Sequence, residues 1–480
     1  MRNQGKGFHF HFRKGNGSMK EQKGLTRSLS NFNLQLIALG GSIGTGLFLG
    51  SSTAIKLAGP SILIAYIISG VVVFLFMRAM GEILLSDETF RSIGDFVGAF
   101  LGQRWEFLVT LTYWLCWVTA ALAEFTAIGI YIRYWFPEIP SLVSGLIALG
   151  FLIVINLSIV KTFGNLESGF SIIKILVIVL FIAFGIVLAF RHPTYESQTH
   201  GQVTVSVANL IDYGGFFPNG IKGFLMSFQM VLFGFAGIEM IGLTAGETKD
   251  EGRNLKKAIN ALPARLLLFY FGAIAIILIL VPWNEISQSQ SPFVSAFNLV
   301  GIPAAAGIIN FTVLIASLSS SNTALYSTSR ILYTGARNHL LPKFFNHVSK
   351  KGIPTHSLLF SCGIFLIGLL ANFLVPDASK LFEIIASITT VCFLFVWSAI
   401  VLSHLKFKKM QPDAKSTLKM PFYPVSNILL LIFFAAVAVL LFVNPSTRFS
   451  TLLGAAWFAV LLIVYQVIKR KKALQQPDHK

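Results

Sequence analysis

Apolar runs of about 20 residues, long enough to cross a bilayer's hydrocarbon core, recur along this chain and constrain its fold more than any other feature. Twelve can be marked, at 33–52, 59–83, 106–135, 139–159, 168–190, 222–245, 265–284, 304–334, 357–376, 380–405, 425–444 and 448–469. The polar gaps between them are short and leave no room for a separate soluble domain. Only 12% of the 480 residues are charged, about half the share usual in a soluble protein. Lipid is therefore the solvent, and in lipid a helix is the simplest way to pair every backbone N–H and C=O. The expected fold class is an all-α integral membrane protein of about twelve transmembrane helices.

A net charge of +18 would suit a nucleic-acid partner if it were clustered on one surface. Its distribution fits membrane orientation instead. With a cytoplasmic N-terminus, Arg13, Lys14, Lys20, Lys23 and Arg27 lie inside, followed by Lys249, Arg253, Lys256 and Lys257. Lys406, Lys408, Lys409 and the stretch from Lys469 to Lys472 join them, whereas Arg191, Lys222 and Arg448 are among the few cations left outside. This is the positive-inside pattern, and an even number of spans puts both termini in the cytoplasm. No nucleic-acid partner is expected. Of the Asn-x-Ser/Thr triplets, those at Asn156 and Asn310 lie within apolar runs, that at Asn16 lies in the cytoplasmic tail, and Asn444 is followed by Pro, which leans toward a bacterial plasma (inner) membrane. Cys116, Cys362 and Cys392 lack metal or disulfide spacing, and His9 and His11 stand alone in the tail, so no metal is expected. Residues 1–18 read as a solvated tail, with Met19 an alternative start.

Two runs contain weak points. The first holds Gly40-Gly41-Ser42-Ile43-Gly44-Thr45-Gly46, and the sixth holds the sparser Phe233-Gly234-Phe235-Ala236-Gly237-Ile238-Glu239. Each glycine costs a helix about 1 kcal/mol relative to alanine. Unwinding at the first break exposes backbone N–H groups at a half-helix N-terminus, which favour an anion such as a carboxylate. Carbonyls freed at the second would accept bonds from an ammonium, so the pair suits a zwitterion. The competing reading is close helix packing through small residues, as the spacing of Gly40 and Gly44 allows. Breaks five helices apart are also the layout of transporters built from two inverted repeats. The expected organisation is a tail at 1–30, repeats at 31–190 and 222–406, two further helices at 425–469, and a tail at 470–480.

Charged side chains within such runs are costly and mark a function or a partner. Glu239, in the second break, is a candidate proton carrier or gate, or else a structural hydrogen-bonding group. Lys174, about two turns into the fifth helix, either places an ammonium beside the first break, with proton loss and gain coupled to transport, or snorkels to the interface. Glu124, near the middle of the third helix, serves either the substrate pathway, as a gating or proton-coupling group, or a helix-to-helix bond. Arg78 and Glu82 are expected to pair at a helix end. The polar run from Ser317 to Thr323, including Ser320 and Asn322, either lines a pocket or glues helices. Phe233 is a gate candidate, with plain packing as its alternative.

Long stretches of the chain resemble the amino acid–polyamine–organocation (APC) transporters, in their bacterial amino-acid permease branch. The motifs are QLIALGGSIGTGLFLGSS (Gln35–Ser52), GPSILIAYIISG (Gly59–Gly70), INLSIVKTFGNLESGFSIIKI (Ile155–Ile175), GFAGIEMIGLTAGETKD (Gly234–Asp250) and INFTVLIASLSSSNTALYSTSRILY (Ile309–Tyr333). Within the branch, Thr112–Pro137 and Ser291–Phe311 are most similar to D-serine/D-alanine/glycine permeases. The resemblance implies a LeuT-like five-plus-five inverted repeat with two extra C-terminal helices, and amino-acid uptake with a proton as the coupling ion. It also implies a substrate-binding set of Ser42, Ile43, Gly44, Thr45, Gly46, Phe233, Phe235, Ala236 and Ile238. Ser42 and Gly44 to Gly46 would lie on the carboxylate side, with Phe233, Ala236 and Ile238 on the amino-group and gating side. Glu239 matches the family's sixth-helix glutamate, and Lys174 the fifth-helix lysine that stands where sodium-coupled relatives hold an ion. Glu124 replaces a shorter aspartate, and Thr323-Ala324 replace a Ser-Gly pair.

The expected function is secondary active, proton-coupled uptake of small neutral amino acids such as glycine, D-alanine or D-serine. No other cofactor is expected, and the oligomeric state is left open. An exchanger of the same fold, or a nutrient sensor built on it, remains an alternative. A membrane enzyme would need clustered His, Asp or Cys near one face, and a channel would need a filter or a charged ring. The chain offers neither pattern.

Overall fold

The computed structural model describes residues 43–87, 89–90, 92–158, 160–197, 199–240, 251–370, 374–375, 377–412, 414 and 416–474. Gly40, Gly41 and Ser42 of the first break lie outside the described residues.

The described chain enters through a π-helical turn, Gly46–Gly50, that continues into α1 (Ser51–Ala58). Gly59 (φ 59°) and Pro60 then turn the chain into α2 (Ile62–Leu84). A proline removes a helical N–H and a left-handed glycine costs no Cβ clash, so the pair divides one apolar stretch into two helices. The short α3 (Ile93–Leu101) starts at Ser92, whose hydroxyl accepts the Asp95 N–H at 3.1 Å and caps an otherwise unpaired donor. Next come α4 (Gln103–Ile132), α5 (Ser141–Ser158) and α6 (Val160–Arg191). An antiparallel hairpin of β1 (Thr194–Ser197) and β2 (Gly201–Thr204) leads to α7 (Gly220–Phe235). Then follow α8 (Glu251–Leu280), α9 (Pro292–Leu299), α10 (Pro303–Arg337), α11 (Thr355–Leu369), α12 (Ala378–Met410), α13 (Val425–Val443) and α14 (Pro445–Leu474).

Among the described residues, eight helical stretches are long and apolar enough to cross a membrane, counting Gly46–Leu84 as one. Ser141–Leu157, Gly220–Phe235 and Thr355–Leu369 are shorter apolar helices. Several helices outrun their apolar windows, as α8 does by beginning at Glu251. The window marks the part that requires lipid, whereas the helix itself continues into the polar margin. The hairpin, α3 and α9 were not expected, because their short apolar patterns are submerged in what read as connecting loops.

Helix α4 lies at the centre, packed against α10 and α12; α2 packs on α8, and α1 on α7. Helices α13 and α14 lie against α12 and each other. On α14, Phe449, Leu452, Val460 and Ile463 are exposed. Such a surface would be a liability in water, but it is what a lipid-facing helix presents.

Candidate functional site

The first break begins a helix inside the protein. The Gly44 carbonyl accepts the N–H of Leu47 at 3.2 Å and of Phe48 at 3.3 Å, so helical pairing starts here. The Thr45 N–H, one turn too early for an intrahelical acceptor within that pairing, donates to Glu124 Oε1 of α4 at 3.1 Å. Ile43, Thr45 and Glu124 are all buried. Against Gly44 lie the Glu124 carboxylate and the Ser320 hydroxyl of α10. A helix N-terminus facing a carboxylate is the arrangement expected there from dipole and donor geometry.

The second break meets the first backbone to backbone. A Cβ on Gly46 would stand 2.5 Å from the Gly234 Cα, an approach only glycine permits. Helix α7 stops at Phe235; Ala236 is extended (φ −59°, ψ 141°) and Gly237 is left-handed (φ 91°). Tyr270 of α8 donates its hydroxyl to the freed Gly234 carbonyl at 2.8 Å. The Phe233 carbonyl accepts the Ala236 N–H at 3.1 Å, and the Phe233 ring meets Phe382 of α12 edge-on at 5.8 Å. Leu232, Phe233, Ala236, Thr390, Phe393, Leu394 and Trp397 line a narrow cleft beside the break. Ile238 is fully buried, and the Phe235 ring packs behind the break on Tyr66 and Tyr270. Glu239, also fully buried, accepts the Trp397 indole N–H at 3.3 Å, which binds the end of the second break to α12.

Lys174 does not snorkel. Its side chain is fully buried, with Nζ 3.4 Å from the Ile43 carbonyl and 4.0 Å from Glu167 Oε1. Glu167 also accepts the Ser319 hydroxyl at 2.5 Å. Beside them Asn156 of α5 donates to Asn322 at 2.7 Å. The polar run on α10 is thus split by its helical angle: Ser320 faces the first break, whereas Ser319 and Asn322 join the ionic cluster. Glu167 was missed from sequence. It lies seven residues before Lys174 and one residue before the apolar run marked at 168–190, so the search for charges within such runs stopped short of it.

Arg78 and Glu82 do not pair with each other. Glu82 sits 3.0 Å from His404 Nε2, accepts Lys408 Nζ at 2.9 Å and accepts the Met420 N–H at 2.7 Å. Asn427 Nδ2 lies 3.0 Å from His404 Nδ1, on the other side of the ring from Glu82. Arg78 turns to the Lys419 carbonyl and to Asn260. The four-residue spacing gave reach but not preference, and charges on neighbouring helices are better placed.

A helical membrane protein with two helix breaks meeting at a buried polar centre belongs to the class of transport proteins with discontinuous helices. Residues 33–477 match the amino acid permease family, to which this chain therefore belongs. It is 45% identical to the amino-acid permease AapA of Bacillus subtilis (strain 168) over 453 residues, covering 94% of this chain and 96% of that protein. It is 41% identical to the D-serine/D-alanine/glycine transporter of Escherichia coli (strain K12) over 456 residues, covering 95% and 96%. The expected APC membership and transporter class are thereby borne out, and the chain is a membrane protein of amino-acid transport.

Proposed function

We propose that this protein is a secondary active transporter that takes up small neutral amino acids, with glycine, D-alanine and D-serine as first candidates, together with a proton. The observation that carries this reading is the meeting of Gly46 and Gly234, which sets a helix N-terminus and a helix C-terminus around one buried centre. Donors on the first side suit a carboxylate, and carbonyls on the second suit an ammonium. The fully buried Lys174 and Glu167, against the Ile43 carbonyl, are the proposed coupling pair. Loss or gain of a proton there would change the charge beside the break as the helices rearrange.

A LeuT-like two-fold repeat is supported by helix pairing. The pairs α1–α7, α2–α8 and α4–α10 each join an element to its counterpart five spans later. Contacts of α4 with α12 and of α10 with α6 exchange under the same relation. A cytoplasmic location for both termini at a bacterial inner membrane rests on the distribution of Lys and Arg.

Purified protein in liposomes devoid of internal amino acid should accumulate labelled glycine, D-alanine or D-serine when a proton gradient is imposed. Uptake that requires internal amino acid would make the protein an exchanger, and binding without flux would make it a sensor. Lys174→Ala should fold and bind substrate, yet lose the dependence on the gradient.

A further inference from the structure

The Thr45 N–H, the donor best placed to receive a substrate carboxylate, is already taken by a carboxylate of the protein itself. Glu124 Oε1 lies against Gly44 and Thr45, at the N-terminus of the half-helix, where the dipole most favours negative charge. Among the described residues, Ser320 Oγ is buried without a hydrogen-bond partner, and the Glu124 carboxylate has the Thr45 and Ser317 hydroxyls beside it. Thr45 and Ser317 face Glu124, Tyr131 faces Ser317, and Ser320 shares the Gly44 surface. A buried hydroxyl left unpaired beside a carboxylate carries a desolvation cost, and hydroxyls that pair only with one another can re-pair with a ligand. They are the donors and acceptors a small polar ligand would use.

We propose that Glu124 is a tethered occupant of the substrate's carboxylate site, which the amino acid enters by displacing it. Ionised, Glu124 holds the Thr45 N–H. On taking a proton from bulk water at one carboxylate oxygen, it gives up that donor, and its new O–H can donate to the arriving carboxylate. At the Thr45 donor one carboxylate then replaces another, while the substrate's ammonium goes to the carbonyls of the second break. Two ionised carboxylates sharing the donor would repel. Other titratable groups facing Glu124 are Lys174 from α6, Tyr270 from α8 and Tyr131 on its own helix. The adjoining part of α10 offers hydroxyls, and Lys56 on α1 is engaged with the Asn284 carbonyl. Glu124 is thus a positioning and competing group, separate from the Lys174–Glu167 pair. The inference rests on the amino-acid reading above.

The test is equilibrium binding of labelled glycine, D-alanine and D-serine to the purified full-length protein, from mildly acidic to mildly alkaline pH. Wild-type affinity should weaken as pH rises, approaching about tenfold per unit once the ionised competitor dominates, because only the protonated fraction can bind. Glu124→Gln should flatten that dependence and bind about tenfold tighter than wild type at the alkaline end. A retained slope would assign the pH response to another group and overturn the proposal. Weaker binding at every pH would also overturn it, by making Glu124 a direct partner of the substrate ammonium. Should the variant not fold, wild-type protein in weak buffer at alkaline pH should take up close to one proton per bound amino acid, and no uptake overturns the proposal. If wild type binds none of the three nor any other amino acid, the functional reading itself fails first.

Discussion

At the residue scale, the site depends on atoms that are absent. Gly46 lacks the Cβ that would stand 2.5 Å from the Gly234 backbone. Backbone cannot swing aside as a flexible side chain can. Gly46→Ala is therefore expected to abolish uptake and to destabilise the protein by about 1–3 kcal/mol through overpacking. Gly150 on α5 is the matched control, because a Cβ there would meet nothing within 4 Å. Gly150→Ala should transport normally and unfold no earlier. Thermal unfolding and uptake measured on both variants decide the point. A second prediction concerns Lys174 and Glu167. Removing either charge takes from its partner the opposite charge 4.0 Å away, at a cost of about 3–5 kcal/mol, so Lys174→Met with Glu167→Met should be more stable than either single change. If the double variant loses the sum of the two single losses, the groups do not interact.

Individual elements show why residue type and neighbourhood carried different amounts of information. The break in α7 was legible because Gly234 and Gly237 weaken any helix, whatever surrounds them. Partners were not legible. Glu82 has Arg78 four residues away, yet it binds His404, Lys408 and the Met420 N–H across α2, α12 and the segment after α12. Only the angle of each helix about its axis selects among such charges, and that angle is a product of packing. Because Glu82 accepts from all three donors, Glu82→Gln should loosen the joint between α2 and the backbone at Met420. Faster hydrogen exchange of the Met420 amide would report this; unchanged exchange would mean the other contacts hold the joint alone.

For the whole molecule, the two ends of the helix bundle make different predictions. The C-termini of α2 and α12 meet at the Glu82 cluster. At the other end, Ser206 after the hairpin donates its N–H to Ile279 near the end of α8. With cytoplasmic termini, the hairpin lies outside and Lys409 inside. Cys116, Cys362 and Cys392 are buried, so single new cysteines can be read against a quiet background. Gln202→Cys should react with an impermeant thiol reagent on intact cells, and Lys409→Cys only after permeabilisation. The opposite pattern would invert the topology.

Lipid as the solvent, the long apolar helices and the two weak points were legible in the sequence, because each depends on local composition: apolar length, charge placement and glycine. The sequence also carried the family resemblance, through motifs spread over most of the chain. Tertiary structure alone decided which polar groups meet. Thr45 and Glu124 are 79 residues apart, and His404 and Glu82 are 322 apart. Contacts of that kind depend on how whole helices cross and rotate, so the long apolar runs could reveal that a buried site exists without revealing that Glu124 occupies its first donor.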